Sequence, residues 1–257
     1  MAIKIMIDCG HYTNYNQGAY KPYYEGNMTW TLGKYLTQYL KSYGFTVANT
    51  RTAKNYDVSV YNRGCMAKGY DVFLSLHSNS CDDSSIQRVV IIKGYDQGDT
   101  LAKKFGKAIT DVMNIDEKYQ IYTKKTSSGG EYYGVLRGAK AVGVANRFIL
   151  ECGFHSNYSV AKWLYSDENI KKLAKSIADT LASHYGYTKK EEDFREYIVR
   201  VTANNLNGRK GAGTSFAIET VLPKGTAVTI VDEQGNWLKT KSGYYIHKDY
   251  VEFVRYV

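Results

Sequence analysis

DVFLSLHSNS (71–80) is a near-continuous apolar run that stops on a histidine, and how it is read decides the fold. A short run of this kind, without polar–apolar alternation, predicts a strand covered on both faces, as in parallel sheets. The same shape occurs twice more. IKIMID (3–8) leads into CGH and places His11 just past the strand's carboxyl end; RFIL (147–150) leads into ECGF and places Glu151 there. GFTVANT (44–50) and RVVIIKG (88–94) read as further strands. Helical periodicity fills the intervals: Met28, Leu32, Leu36 and Leu40, flanked by Tyr35, Tyr39 and Tyr43, repeat every three to four residues. Helices are also expected over 56–68, 99–113 and 167–185. Strands alternating with helices predict an α/β fold with a twisted, mostly parallel sheet flanked by helices. Residues 122–133 (YTKKTSSGGEYY) read as a loop.

The texture changes past residue 186. TKKEEDFREY (188–197) is charged and poor in apolar residues, and the segment 187–196 is expected to be a linker. Beyond it, YIVRVTA, AIETVL, TAVTIVD, WLKT and YYIH are strand-like runs separated by NGRKGAG, PKG, DEQGN and SG, which carry turn chemistry. Residues 197–257 are therefore expected to form a small all-β barrel, and residues 1–186 the larger α/β domain.

The chain has 257 residues, 44% of them hydrophobic and 23% charged, which is enough to bury a core and excludes disorder and collagen-like structure. Its net charge of +9 points to an anionic partner. Most of it, +7 from 23 basic and 16 acidic residues, falls on residues 1–186, leaving +2 for the remainder. The opening MAIKIMIDCGH has one lysine and an apolar run broken by Asp8. It does not resemble a signal peptide, so synthesis in the cytoplasm without one is expected. No stretch approaches the roughly 20 apolar residues that span a bilayer, so no transmembrane segment is expected. Cys9, Cys65, Cys81 and Cys152 lack CxxC spacing and read as free thiols.

In an open parallel sheet, ligands bind beyond the carboxyl ends of the strands, where His11, His77 and Glu151 would converge. Glu25, in YYEGNMTW, stands at the start of the first amphipathic helix, where the helix dipole favours a carboxylate. Two histidines, one carboxylate and an open water position form a recurring set for catalytic zinc. His11, Glu25 and His77 are assigned to one zinc ion with a bound water, and Glu151 to proton transfer. Singly, each has a plainer reading: a hydrogen-bonded histidine at a strand end, a favourable charge at a helix start. His155, His184 and His247 are read as a loop residue, a helix-terminal charge and a surface residue.

Taken in order, IDCGHYTNYNQGAY, Glu25, FLSLHSNS and ILECGFHSN resemble the four blocks of the zinc-dependent N-acetylmuramoyl-L-alanine amidases of type 3, over about residues 3–184. The resemblance implies zinc binding by His11, Glu25 and His77 and catalysis by Glu151. The implied substrate is peptidoglycan, cut between the muramic acid lactyl group and L-alanine. Asn79 and Arg137 are candidates to hold the substrate or the developing oxyanion, or else to brace their loops. Cys9 and Cys152 depart from the family pattern, and a thiol beside zinc would make the enzyme oxidation-sensitive. Residues 201–240 are similar to bacterial SH3 domains of the cell-wall-binding type: an opening strand, the L-N-x-R turn, a KG hairpin and a strand bearing a buried Trp237. Asn204, Asn207, Arg209 and Tyr245 are candidates for its ligand surface.

A catalytic domain without a secretion signal, joined to a wall-binding module, suggests a phage endolysin released through a holin, with no nucleic acid partner. A bacterial autolysin or spore-lysis amidase is the near alternative. A zinc deacetylase or metallopeptidase on another substrate, and a non-catalytic wall- or nucleic-acid-binding protein, are the distant ones.

Overall fold

The computed structural model describes residues 2–188 and 194–257. The chain divides into two compact units, 1–190 and 191–257. The expected linker, 187–196, lies partly outside the described residues. Within it, Tyr187 stacks on Phe45 with ring centroids 4.1 Å apart and accepts a hydrogen bond from the Ile3 amide, so it packs as part of the first unit.

The first unit is a six-stranded sheet in the order β2-β1-β3-β6-β4-β5. Its strands are β1 (Lys4–Cys9), β2 (Thr46–Asn49), β3 (Val72–Asn79), β4 (Val90–Lys93), β5 (Gln120–Tyr122) and β6 (Asn146–Phe154). The pairs β1–β2, β1–β3, β3–β6 and β4–β5 are parallel, and β4 runs antiparallel to β6. The sheet is therefore mostly parallel, as expected.

Alternate residues of each strand feed opposite layers. Ile5, Ile7 and Cys9 of β1 join Phe148, Leu150 and Cys152 of β6 in the larger core. This layer includes α1 (Glu25–Tyr43), α3 (Thr100–Met113), α5 (Tyr158–Tyr165) and α6 (Asp167–Tyr185). Met6, Phe73 and Ile149 face the opposite layer, where Val135, Leu136 and Ala139 of α4 (Gly134–Ala141) pack beside α2 (Val60–Cys65). Asp8, the polar interruption in the first strand, is fully buried. Its carboxylate accepts from the hydroxyls of Thr50 (2.6 Å) and Ser75 (2.7 Å), which offsets its desolvation.

Several elements differ from the expectation. The helix expected over 56–68 is confined to Val60–Cys65. Helices α4 and α5 and strand β5 were not expected. GVLRGAKA carries two glycines and reads as turn chemistry, yet a Cβ on Gly138 would stand 2.1 Å from the Tyr61 carbonyl oxygen. That glycine is what lets α4 lie against α2. Helix α5 starts at Asn157, whose side-chain oxygen accepts from the Val160 amide.

The second unit is all antiparallel, in the order β13-β7-β10-β11-β12-β8-β9. Its strands are β7 (Tyr197–Val201), β8 (Asn205–Arg209), β9 (Ile218–Pro223), β10 (Ala227–Gln234), β11 (Trp237–Thr240), β12 (Tyr245–His247) and β13 (Val251–Tyr256). Val199, Val201, Leu206, Leu222, Ile230, Leu238 and Ile246 form its core. Two expectations are corrected. The L-N-x-R segment, Leu206–Arg209, lies within strand β8 instead of forming a turn. Trp237 is only half-buried and lies outside the core cluster: its neighbour Leu238 fills the inward position, so alternation along β11 turns the indole outward.

Candidate metal centre and active site

Three chain segments meet beyond the carboxyl ends of β1, β3 and β6. The Gly10 amide donates to the Leu76 carbonyl (3.1 Å), which carries β1 pairing one residue further and presents His11 beside β3. His77 and Glu151 lie directly opposite each other in the parallel pair β3–β6. A Cβ on Gly10 would stand 2.3 Å from the His77 ring, so the imidazole occupies space that only a glycine leaves open. Glu25 is the first residue of α1, where the helix N-terminus favours negative charge.

Glu25 is the hub of the cluster and is only 1% exposed. Its Oε1 lies 2.9 Å from His77 Nδ1 and accepts from the Ser78 amide at 2.9 Å. Its Oε2 lies 3.2 Å from His11 Nε2 and accepts from Asn16 Nδ2 at 2.7 Å. One ligand atom from each of His11, Glu25 and His77 lies within 4.8 Å of the others, the one such group of three among the described residues. Two imidazole nitrogens and one carboxylate oxygen, half-buried and convergent, fit a divalent ion that prefers mixed nitrogen and oxygen ligands.

The electrostatics follow from burial. Burial alone would raise the Glu25 carboxyl, but its hydrogen bonds to His11 and His77 outweigh that and hold it well below the usual range. Burial works against His77 in the same way, yet the Glu25 hydrogen bond and the charges of Glu151, Glu25 and Asp8 push it up to about 9. Glu151 behaves oppositely. Burial, partly offset by the positive charge of His77 and reinforced by the negative charge of Glu25, pushes its carboxyl up to about 7. Its Oε2 is buried without a hydrogen-bond partner among the described residues.

His155 lies in the turn after β6, as expected of a loop residue, but it is buried, 5% exposed, and supports the site. Ser78 Oγ lies 2.9 Å from His155 Nδ1 and 2.6 Å from the buried Tyr23 hydroxyl, and the Ser78 amide holds Glu25. Burial lowers the His155 pKa, so it serves this network as a neutral ring. The only sequence signal for it was its place in ECGFHSN, since Ser78 is far away along the chain.

The remaining candidates separate. Asn79 ends β3; its side-chain oxygen accepts from the Ser80 amide and its carbonyl accepts from the His155 amide. Arg137 donates to the carbonyls of Glu131 (3.2 Å) and Tyr132 (3.0 Å), bracing the 122–133 loop, and makes no hydrogen bond to the cluster among the described residues. Cys9 and Cys152 are fully buried. Burial pushes the Cys9 thiol up to about 12 and raises Cys152 as well, which disfavours the thiolate at both positions.

In the second unit, Asn207, Arg209, Trp237, His247 and Tyr250 line a cavity of about 470 Å³. Trp237 and His247 pair across β11–β12 and meet edge to face at 5.1 Å. Tyr245 is registered against Arg209 on the same outer face. Asn204 is exposed and does not line the cavity.

Comparison with known proteins places these features in a family. The catalytic domain of CwlV, an N-acetylmuramoyl-L-alanine amidase from Bacillus (Paenibacillus) polymyxa var. colistinus, is 19% identical with a TM-score of 0.62, covering 72% of this chain and 99% of that one. AmiC2 of Nostoc punctiforme, also an N-acetylmuramoyl-L-alanine amidase, is 20% identical with a TM-score of 0.61, covering 72% and 97%. The CwlD amidase from Clostridioides difficile, solved in complex with the GerS lipoprotein, is 19% identical with a TM-score of 0.60, covering 72% and 98%. At these identities the likeness establishes the fold. A search of curated proteins gives no match. Residues 204–252 match the bacterial SH3 domain. Residues 5–183, well over half of the chain, match the N-acetylmuramoyl-L-alanine amidase family, and the chain belongs to it.

Proposed function

We propose that this amidase is a zinc-dependent peptidoglycan hydrolase that cuts the amide between the lactyl group of N-acetylmuramic acid and L-alanine, and that it serves as a phage endolysin. The observation that carries the catalytic reading is the half-buried Glu151, whose buried Oε2 has no hydrogen-bond partner among the described residues and which is registered beside a cluster of two histidines and a carboxylate. His11, Glu25 and His77 would hold the metal. Zinc bound there supplies Lewis acidity, polarising a carbonyl and acidifying water. Glu151 takes a proton from the attacking water as its oxygen adds to the lactyl carbonyl carbon. It then gives that proton to the alanine nitrogen as the C–N bond breaks. Burial raises the Glu151 carboxyl while a bound cation would lower it, and this balance suits a group that must both take and give a proton. Ser78, Tyr23 and His155 keep Glu25 oriented, and Asn79 and Arg137 steady the walls around the reacting amide.

Residues 197–257 form the wall-retention module, with Asn204, Asn207, Arg209 and Tyr245 on or beside its ligand surface. The endolysin reading rests on the pairing of an amidase with a bacterial SH3 domain and on the +7 charge of residues 1–186, suited to an anionic wall. Among the described residues no helix is long and apolar enough to cross a membrane. In this reading the protein accumulates in the host cytoplasm and reaches the wall once a holin opens the membrane.

Two measurements test the proposal. Purified protein incubated with Gram-positive walls is expected to release free N-terminal L-alanine and to carry one zinc per chain by metal analysis. Walls solubilised without new L-alanine termini would point to another hydrolase, and protein without zinc would remove the metal. Expression inside a susceptible host is expected to cause lysis only when a holin is supplied. Lysis without one would favour an autolysin.

A further inference from the structure

The segment between His11 and Asn16 has an unusual backbone. Four non-glycine residues have φ in the left-handed region among the described residues, and three of them are His11 (59°), Asn14 (57°) and Asn16 (53°). Asparagine and histidine enter this region more readily than other L-residues, but three such positions within six need support from their surroundings. Here that support comes from both sides. The Asn14 amide donates to Asn27 Oδ1 (3.1 Å) and Asn27 Nδ2 returns a bond to Asn14 Oδ1 (2.9 Å). Thr13 Oγ1 donates to the Lys54 carbonyl (2.9 Å). The Asn16 and Tyr15 carbonyls accept from the Glu25 and Gly26 amides at 2.9 and 3.2 Å.

This rigid turn projects two aromatic side chains toward solvent. Tyr12 is 43% exposed and Tyr15 is 42% exposed, with ring centroids 5.4 Å apart. Tyr15 also stacks on His11, 4.8 Å away and only 18° from parallel, which puts the pair at the rim of the metal centre. No hydrogen bond of either hydroxyl is present among the described residues. Burial therefore explains neither ring, and a strained, cross-braced turn that displays aromatic faces beside a reacting centre is a pre-organised binding surface.

We propose that Tyr12 and Tyr15 form a stacking platform for a sugar ring of the glycan strand, a specificity element of the amidase; this rests on the reading that its substrate is peptidoglycan. The apolar C–H face of an N-acetylhexosamine matches an aromatic face, and the scissile amide hangs from a sugar through the lactyl group. A ring anchored at the rim thus fixes where the amide meets the cluster. The peptide side of the same bond begins with alanine, whose methyl group offers far less surface to an aromatic pair.

The test uses the full chain and two substrates: a soluble glycan–peptide fragment, and a D-lactoyl-L-alanyl peptide that keeps the scissile amide and has no sugar. Tyr12→Ala and Tyr15→Ala are each expected to raise KM on the glycan–peptide about fivefold, with kcat held within about twofold. Tyr12→Phe and Tyr15→Phe keep the aromatic face and are expected to stay within about twofold of the parent. On the sugar-free peptide, all four variants should match the parent. Equal losses on both substrates, losses in the Phe variants, or no loss on the glycan–peptide would each overturn the platform. Tyr15 touches His11, so zinc content is measured for every variant. The Tyr12 ring pairs with Tyr15 and, among the described residues, stacks on no metal ligand, so Tyr12→Ala decides the matter if Tyr15→Ala loses metal. Failure of the parent protein to release L-alanine termini from either substrate would refute the amidase reading instead.

Discussion

Strand β6 carries two buried charge clusters on one face, at Arg147 and, four residues on, at Glu151, and they are built to opposite ends. At Arg147 the cluster is closed by a fixed cation, although Arg147 Nε and Glu131 Oε1 make no hydrogen bond among the described residues. Its guanidinium pairs with Asp96 and reaches Glu131 Oε2 at 3.4 Å, while Nη1 donates to the Val144 carbonyl. Burial still raises the Glu131 carboxyl, with Arg147 partly offsetting. At Glu151 the cluster is open: Oε2 has no hydrogen-bond partner among the described residues, and His77 must give up its proton before it can hold a cation. A cluster whose cation is a fixed guanidinium is architecture; one whose positive charge is a proton that a metal can displace is poised for chemistry.

The largest expected effect separates the two ends. Glu151→Gln should lower L-alanine release by about a thousandfold while zinc stoichiometry stays at one, because proton transfer is lost and the ligands are untouched. Retained activity would erase the distinction. At the other end, Arg147→Met leaves Glu131 buried without its cation and should destabilise the protein by about 3–5 kcal/mol in urea denaturation. Adding Glu131→Met should recover most of that, which would not happen if the arginine had a separate role.

The third expectation concerns stability without metal. The folded Glu151 carboxyl titrates near 7 against an ordinary value of 4.5, so the folded state holds this proton longer. Stability is then lost as pH rises from about 4.5 to 7, and above 7 the buried carboxylate weighs on the fold. Metal-free Glu151→Gln should be about 2–3 kcal/mol more stable than its parent at pH 8, with the gap closing toward pH 5. A gap independent of pH would mean packing, not charge, sets the difference. The smallest expected effect is in the metal itself. His77 is pushed up to about 9, so zinc must displace its proton below that pH. Affinity should rise about tenfold per pH unit up to about 9 in a competition titration, and a flat profile would contradict a proton held at His77.

The open cluster was legible in the sequence because each member sits where an apolar run stops, and parallel strands bring such stops together. Glu25 was legible through its helix start. His155 was not, because its meaning lies in Ser78, and that pairing exists only once β3 and β6 are neighbours. Helix α4 was hidden by glycines that look like punctuation but serve close packing against α2. The second unit showed the same limit. Its strands were visible as short runs, yet the outward turn of Trp237 depended on which residue of β11 faced in, and that is decided by Leu238 and its neighbours.

The space that Gly10 leaves for the His77 ring has a consequence for engineering. In a saturation library, position 10 tolerates hydrogen alone as its side chain, because any larger group evicts the imidazole long before it disturbs the sheet. Variants there would express and fold yet fail to load metal, so a screen for soluble protein would pass them and a screen for wall lysis would not. Attempts to retarget or harden this enzyme by random mutagenesis should hold that codon constant and put diversity on the rim.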